Sequence, residues 1–503
     1  LEAQRAGARV IVVDPWRTRT AAHADRHLAI RPGTDAALAL GLMHVILADG
    51  LADEEYVERH TVGIEPFRER AAEFSPSRVA EITGISEADV RWLAHVYATT
   101  RPAAICWGLG LQRTSGGGAA ARALTCLPAL TGAWRDIGGG IVRGSTFVPL
   151  AWNRLQRPDL VRRGTRTINM VELGKALTDQ QLAPPIRALY VYNSNPVAVA
   201  PDQNRVVAGL RRDNLFTVVH EQFLTDTADY ADVVLPATTQ LEHLDLVPSW
   251  GHYYLTFNEP AIEPLGQARP NNWVFRELAR RLELAEPCLY DSDEELVRQA
   301  LSSGHPWLEG LTFERLREQG YVRVAVPRDG APFAEGGFPT RSGKCELYSE
   351  RLAKRGADPL PTFIPPRECA STNPGLAARF PLALLTPKAH HFLNSSYGAL
   401  DSLVRQEGEP LLFMHSADAT ARGLSDGQCV EVYNGRGSFS ARLRVSADAR
   451  VGVVLSPAVW WGKRSESRTN SNATVSSELT DLGRGPVFYD NLVEVRAATT
   501  RTG

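Results

Sequence analysis

The sequence has no apolar run approaching the roughly 18 residues that a membrane-crossing helix requires, so no segment reads as a span of that kind. Its formal net charge is only −2 over 503 residues, which leaves no electrostatic footprint for a nucleic acid or an anionic membrane surface. The six cysteines, Cys106, Cys126, Cys288, Cys345, Cys369 and Cys429, form no CxxC pair and show neither zinc nor iron–sulfur spacing. Most of them read as buried thiols, no metal ligand is assigned among them, and they leave the redox compartment open. A GxxxxGK[ST] loop is missing too: before Lys344, Phe338 stands where its first glycine belongs. The pattern GLGLQR at 108–113 has Arg113 in place of the third glycine, so the close helix–strand packing of a nicotinamide site is not provided for. P-loop and nicotinamide chemistry both lose ground. Finally, there is no initiator methionine. The opening LEAQRAGARVIVVDP reads as the last turn of a helix closed by Gly7, followed by an interior parallel strand. Such a turn is too short to be stable alone, and the expectation is that a further N-terminal portion precedes it, with any targeting signal there.

What is present is ordinary for a globular chain, 44% hydrophobic and 22% charged residues, with length for about three domains. The expected fold class is α/β: two related doubly wound α/β domains plus a C-terminal β-barrel. Residues 1–185 alternate strand and helix patterns. ARVIVVDP is a strand, TDAALALGLMHVILADG an amphipathic helix capped by Thr34 and stopped by Gly50, and AAICWGLGLQ a strand running into the flexible RTSGGGAAARALTCLPALTG. Residues 186–300 repeat the grammar with IRALYVYNSNP, NLFTVVHEQF and ADVVLPATT. Residues 301–377 read as a mixed connecting segment. From 378 to 503 short strands and turns take over, and Asn434-Gly435 marks a hairpin of a barrel.

One repetition organises the two halves. TRTAAHAD at 18–25 recurs as TDTADYAD at 225–232, and each copy follows an apolar run ending in an acid, Asp14 or Glu221, at one constant offset. In open α/β sheets ligands sit beyond the carboxyl ends of parallel strands, where such acids can accept from ribose hydroxyls or a base N–H edge. A turn or helix-dipole role is the competing reading for either acid taken singly. Thr18, Thr20, Thr225 and Thr227 can cap the short helix that follows, and Asp25 and Asp232 close the next turn. Asp35 sits in a first helical turn, as a dipole acid or a partner for the donor edge of guanine.

Taken in order, VIVVDPWRTRTAAHADRHLAIRPGTDAALALG, WGLGLQ, YVYNSNP, HEQFLTDTADYADVVLPATTQLEH, RSGKCELYS, LTPKAHHFLNSSYG, GLSDGQCVEV and SNATVSSELTDLGRGPVFYDNLVEV resemble the molybdopterin oxidoreductase family, the dimethyl sulfoxide reductase and formate dehydrogenase superfamily. The resemblance covers essentially the whole chain. It implies one molybdenum or tungsten atom between two molybdopterin guanine dinucleotides, each α/β half gripping one nucleotide, with a double-psi-type barrel closing over the pterins. On that basis Asp14, Thr18, Thr34 and Asp35, with Gly108, Gly110 and Gln112, would serve one nucleotide. Asn193, Asn195, Glu221, Gln222 and Thr225 would serve the other. Thr386, Lys388, His390, His391, Asn394 and Ser395 match the loop over the pterins, and Asn472 and Asn491 the late polar contacts. Metal binding by the adjacent His390 and His391 is disfavoured, because neighbours in a strand point to opposite faces.

A 4Fe–4S cluster and the protein ligand to the metal would lie in the N-terminal portion, and residues 1–503 alone are expected not to turn over substrate. The resemblance also implies a small-molecule substrate, an iron–sulfur electron-transfer subunit and a membrane-anchor subunit. The reaction would be a two-electron transfer of an oxygen atom or hydride equivalent. Two other readings stand beside this one: a non-catalytic scaffold akin to the large iron–sulfur subunit of NADH dehydrogenase, and a plain two-domain nucleotide enzyme.

Overall fold

The computed structural model describes residues 2–144, 148–248, 250–327, 330–457, 459–465 and 467–498. Eighteen strands run through the described residues. The first five are β1 (Ile11–Val13), β2 (Arg26–Leu28), β3 (Thr61–Val62), β4 (Ala104–Cys106) and β5 (Gly140–Val142). β1 and β2 pair in parallel, as do β4 and β5. The helix Asp35–Ala48 lies at the centre of this part, with Ala37, Leu40, Met43 and Ile46 fully enclosed. It is apolar on every side rather than amphipathic, because the helices Pro76–Thr83, Glu87–Thr99 and Gly117–Leu130 all pack against it. The stretch read as flexible, RTSGGGAAARALTCLPALTG, is that last helix: its alanines face the core closely, and Pro128 is accommodated in its final turn.

The second half carries β6 (Ala188–Tyr192), β7 (Phe216–Glu221) and β8 (Val233–Pro236) in one parallel sheet, in that order. The repetition in the sequence is a repetition of hydrogen bonds. Asp25 accepts from the Val10 N–H at 2.7 Å while its own N–H reaches Val10 O, and Asp232 does the same to Thr217 at 2.6 Å. Each aspartate thus fastens the start of the second strand of its pair to the beginning of the first, at Val10 just before β1 and at Thr217 inside β7. Thr18 and Thr225 also match, their hydroxyls accepting from the N–H groups of Ala21 and Ala228.

Three antiparallel strands follow, β9 (Asp245–Pro248), β10 (Tyr254–Asn258) and β11 (Tyr321–Arg323), with a core of their own around Leu255, Phe313 and Leu316. The stretch 301–377 divides between cores: β11 joins this sheet, whereas β12 (Cys345–Glu346) pairs with β3 and Leu347 is buried in the first core. The remaining strands are β13 (Leu382–Leu385), β14 (Leu411–Met414), β15 (Cys429–Tyr433), β16 (Ser438–Val445), β17 (Val453–Leu455) and β18 (Leu492–Ala497). They close a barrel in the order β13-β17-β14-β16-β15-β18, mixing parallel and antiparallel pairs. Alternate residues such as Val430, Val432, Phe439, Ala441 and Leu443 fill it. The Asn434 turn joins β15 to β16, the Asn434 N–H donating to Gly437 O at 3.0 Å. No helix among the described residues is long and apolar enough to cross a membrane.

Candidate functional site

One cleft of about 2360 Å³ runs between the two halves and the barrel. That is more than twice the roughly 1,000 Å³ at the upper end for a drug-sized ligand. Asp14, Thr18, Asp35, Gly108 and Gly110 from the first half, Ser194 and Pro196 from the second, and Thr386, Lys388, His390, His391, Asn394 and Asn472 from the barrel side all line it.

Asp14 follows β1, where the chain turns sharply. Its carboxylate accepts from the Trp16 N–H at 2.8 Å, and burial raises its pKa against that bond and nearby His27. Asp35 opens the central helix. Burial pushes its carboxyl up to about 6, its own backbone N–H opposes the shift, and the negative charge of Asp14 adds to it. Two carboxylates held above their ordinary range, facing one cleft, are placed to accept from a ligand that brings N–H donors. Thr34 does not cap the helix; its hydroxyl donates to Arg31 O at 2.7 Å. Gln112 lies off the cleft wall. With its carbonyl turned to Arg143 it accepts from Nε at 3.2 Å and Nη2 at 2.7 Å.

In the second half, Glu221 ends β7 and accepts from the backbone N–H groups of Gln222 and Ser194; burial raises its pKa. It stands one residue behind the cleft wall, through Ser194. Asn193 adopts a left-handed backbone (φ 51°) and its side chain accepts from Asn271. Asn195 is buried, and its carbonyl accepts from the N–H and hydroxyl of Thr227. Gln222 donates to Thr238 O, and the buried Thr225 hydroxyl accepts from the Ala228 N–H.

On the barrel side, the Thr386 carbonyl accepts from the Tyr489 hydroxyl, the Ser395 carbonyl from the Trp461 indole, and the Lys388 ammonium donates to Asn394. His390 and His391 lie in a bend after β13 rather than in a strand, which is why both line the cleft. Glu407 accepts from both of their N–H groups and from His391 Nδ1. Asn472 is buried and donates to Ala198 O at 2.7 Å, tying the barrel loop to the second half. Asn491 is buried away from the cleft, its carbonyl shared by Asn434 and Arg436.

Two features of the cleft suit an anionic and hydrogen-bond-accepting ligand. The side chains of Arg113 and Lys388 have no carboxylate partner among the described residues. Burial lowers both pKa values, with Arg143 adding at Arg113 and Arg113 at Lys388. The buried indole N–H groups of Trp107 and Trp460, both on the cleft wall, also lack an acceptor among the described residues. Space lies open where a Cβ at Gly108 would stand. Trp107, Trp460 and Tyr489 were not singled out from the sequence; the paired tryptophans after β17 and the aromatic run ahead of Asn491 are the signals that mark them.

The family model for molybdopterin oxidoreductases matches residues 1–281, more than half of the chain. The chain belongs to the molybdopterin oxidoreductase family. A second model, for the molybdopterin dinucleotide binding domain, matches residues 382–492, which are the barrel. The chain is 38% identical over 497 residues to the probable oxidoreductase YoaE of Bacillus subtilis, covering 98% of this chain and 71% of that protein. It is 29% identical to dimethyl sulfoxide reductase DmsA of Escherichia coli, over 98% of this chain and 68% of that one. Among solved structures, acetylene hydratase from Pelobacter acetylenicus matches with a TM-score of 0.83 and 27% identity, over 99% of this chain and 75% of that one. The scaffold reading draws no support from these relatives.

Proposed function

We propose that the cleft of this molybdopterin oxidoreductase family member holds two molybdopterin guanine dinucleotides around one molybdenum or tungsten atom, and that the protein is the cofactor-binding bulk of an oxidoreductase subunit. The observation that carries the reading is the meeting, on the wall of one cleft, of half-buried Arg113 and exposed Lys388, which have no carboxylate partner among the described residues, with the carboxylates of Asp14 and Asp35. Arg113 and Lys388 suit a diphosphate, which supplies the charge they lack. Asp14 and Asp35 suit the N–H edge of one guanine and its ribose. Glu221, with Gln222, Thr225, Asn193 and Asn195 shaping the loops around it, suits the second. The indole N–H groups of Trp107 and Trp460 are donors for acceptor atoms of the pterin portion, and His390, His391, Asn394 and Asn472 border the same space.

When bound, the group would supply two-electron chemistry, moving an oxygen atom or hydride equivalent to or from a small molecule. The residues of this chain bind and orient it and exclude water around it. An iron–sulfur electron-transfer subunit and a membrane-anchor subunit would be its partners. The test is elemental analysis with quantification of guanine released by acid from the protein as isolated. Two guanines per molybdenum or tungsten are expected, and a folded protein carrying neither overturns the reading.

A further inference from the structure

Two of the six cysteines meet. Cys126 stands in the helix Gly117–Leu130 and is 2% exposed, while Cys345 opens β12 and is half-buried against the same core. Arg122 lies one helical turn before Cys126, on the same face, and its Nη2 donates to Leu347 O at 3.1 Å and to Pro359 O. The helix therefore runs beside the strand that Cys345 begins, and the Cys345 thiol donates to the Cys126 sulfur. That bond, with the Arg122 guanidinium adding to it, holds the Cys126 thiol below its ordinary range against the effect of burial. The same bond and burial push the Cys345 thiol up. Neither cysteine lines the cleft, although Leu124 and Leu127 of the same helix do.

The strand that Cys345 opens is short. β12 is two residues long and pairs in parallel with β3, Thr61–Val62. Just beyond it the N–H groups of Leu347 and Tyr348 both donate to Val62 O, and Leu347, Leu360 and Phe363 pack on the first core. So brief a strand pair adds little by itself; side-chain burial and the Arg122 bonds carry the attachment of 345–363 to the first half. A covalent bond at Cys345 would fasten this stretch at its first residue.

We propose that Cys126 and Cys345 are a redox modification site, a dithiol that closes to a disulfide and so staples residues 345–363 to the helix Gly117–Leu130. The oxidant is a small-molecule disulfide such as oxidised glutathione. Cys345, the more exposed of the two, exchanges first: its sulfur gives up its proton, bonds to one sulfur of that disulfide, and a first glutathione departs with the proton. The Cys126 sulfur then attacks the Cys345 sulfur and breaks its bond to the second glutathione, which leaves with the Cys126 proton. Two protein thiols thus lose two electrons and two protons, and one disulfide becomes two thiols. Thiolate is scarce at Cys345, so the first exchange is the slow step. Because the two residues lie far apart in the chain, the cross-link also removes much of the freedom of the unfolded state. The pair works independently of what fills the cleft.

The test incubates the whole chain overnight at pH 8, without denaturant, in excess oxidised glutathione, followed by alkylation, tryptic mapping and hydrogen–deuterium exchange. A peptide pair joined through Cys126 and Cys345 is expected, lighter by about 2 Da than the two reduced peptides together, and dithiothreitol should part it. Exchange over 345–348 and 61–63 should slow by about tenfold in the oxidised form and recover on reduction. Cys126→Ser should stop at glutathione on Cys345, and Cys345→Ser should leave Cys126 unmodified. No joined pair, or one formed only in urea, overturns the proposal. So does a bond from either cysteine to Cys106, Cys288, Cys369 or Cys429 in its place. A joined pair with unchanged exchange overturns the staple, and glutathione on Cys126 in Cys345→Ser overturns the order of attack. The joined pair and its exchange are read on the unaltered chain, so they decide the matter even if a serine variant fails to fold.

Discussion

At the scale of single residues, Asp35 concentrates the chemistry of the first half. Its carboxyl is pushed up to about 6, so between the ordinary value of 3.8 and about 6 the folded chain holds a proton that the unfolded chain releases. Stability from this group is therefore complete below the ordinary value and is lost as pH rises through about 6. Replacing Asp35 with Asn should remove that loss, up to about 3 kcal/mol, so urea midpoints of the two proteins should diverge between pH 4 and pH 6.5 in favour of the variant. Parallel curves would contradict the assignment. Ligand binding should run the other way. A guanine N–H edge needs the charged carboxylate, so GDP affinity measured by calorimetry should rise as pH passes upward through 6, and Asp35→Asn should flatten the profile. A flat profile in the unaltered chain would separate Asp35 from the ligand. The placing of Asp14 and Asp35 on the cleft wall has a local signal in the sequence, an acid just after a strand or opening a helix. Asn195 and Asn491, named by resemblance, are buried by partners remote in the chain, Thr227 for the one and Asn434 and Arg436 for the other, and no local pattern records those bonds.

Among elements, the clamp made by Asp25 and Asp232 is the clearest sign that one βαβ-like unit was used twice. Each aspartate joins its strand pair by the same two bonds. Alanine at either position should lower stability in similar amounts, and the two losses should add because the sites share no partner. Denaturant titration of both single variants and the double variant checks this; a large effect at only one position would break the equivalence of the halves. The sequence showed this repeat directly, and the β15–β16 hairpin was equally plain from its turn and alternation. The glycine run 116–118 misled, since glycine serves both loose chain and close approach, and the atoms that approach belong to Ile364, Gln112 and Leu482. The helix Asp35–Ala48 was placed correctly but read as amphipathic. Its small alanines let neighbouring helices cover every side, which periodicity alone does not report.

At the scale of the molecule, the barrel is fastened to both copies of the repeat. Next to the first copy, the Arg17 N–H donates to Asp448 O and Trp16 bridges to Ala449. Next to the second, Lys463 Nζ donates to Leu224 O at 2.8 Å, Thr225 O at 3.0 Å and Asp229 at 2.9 Å, while its N–H reaches Asp226. Lys463→Ala should lower stability by about 2 kcal/mol and speed hydrogen exchange in 223–230 while leaving 16–24 unchanged. Equal acceleration in both segments would argue against two separate fastenings. This arrangement was only partly visible in the sequence, which indicated a barrel and two halves but not the loops that join them.

The central claim is that a duplicated half creates two equivalent guanosine sites in one cleft, and calorimetric titration of the chain with GDP at pH 7.5 tests it most directly. The account predicts two GDP molecules per chain, falling to one when Asp35 is replaced by Asn. Saturation at fewer than two, or two sites that Asp35→Asn leaves untouched, would contradict it.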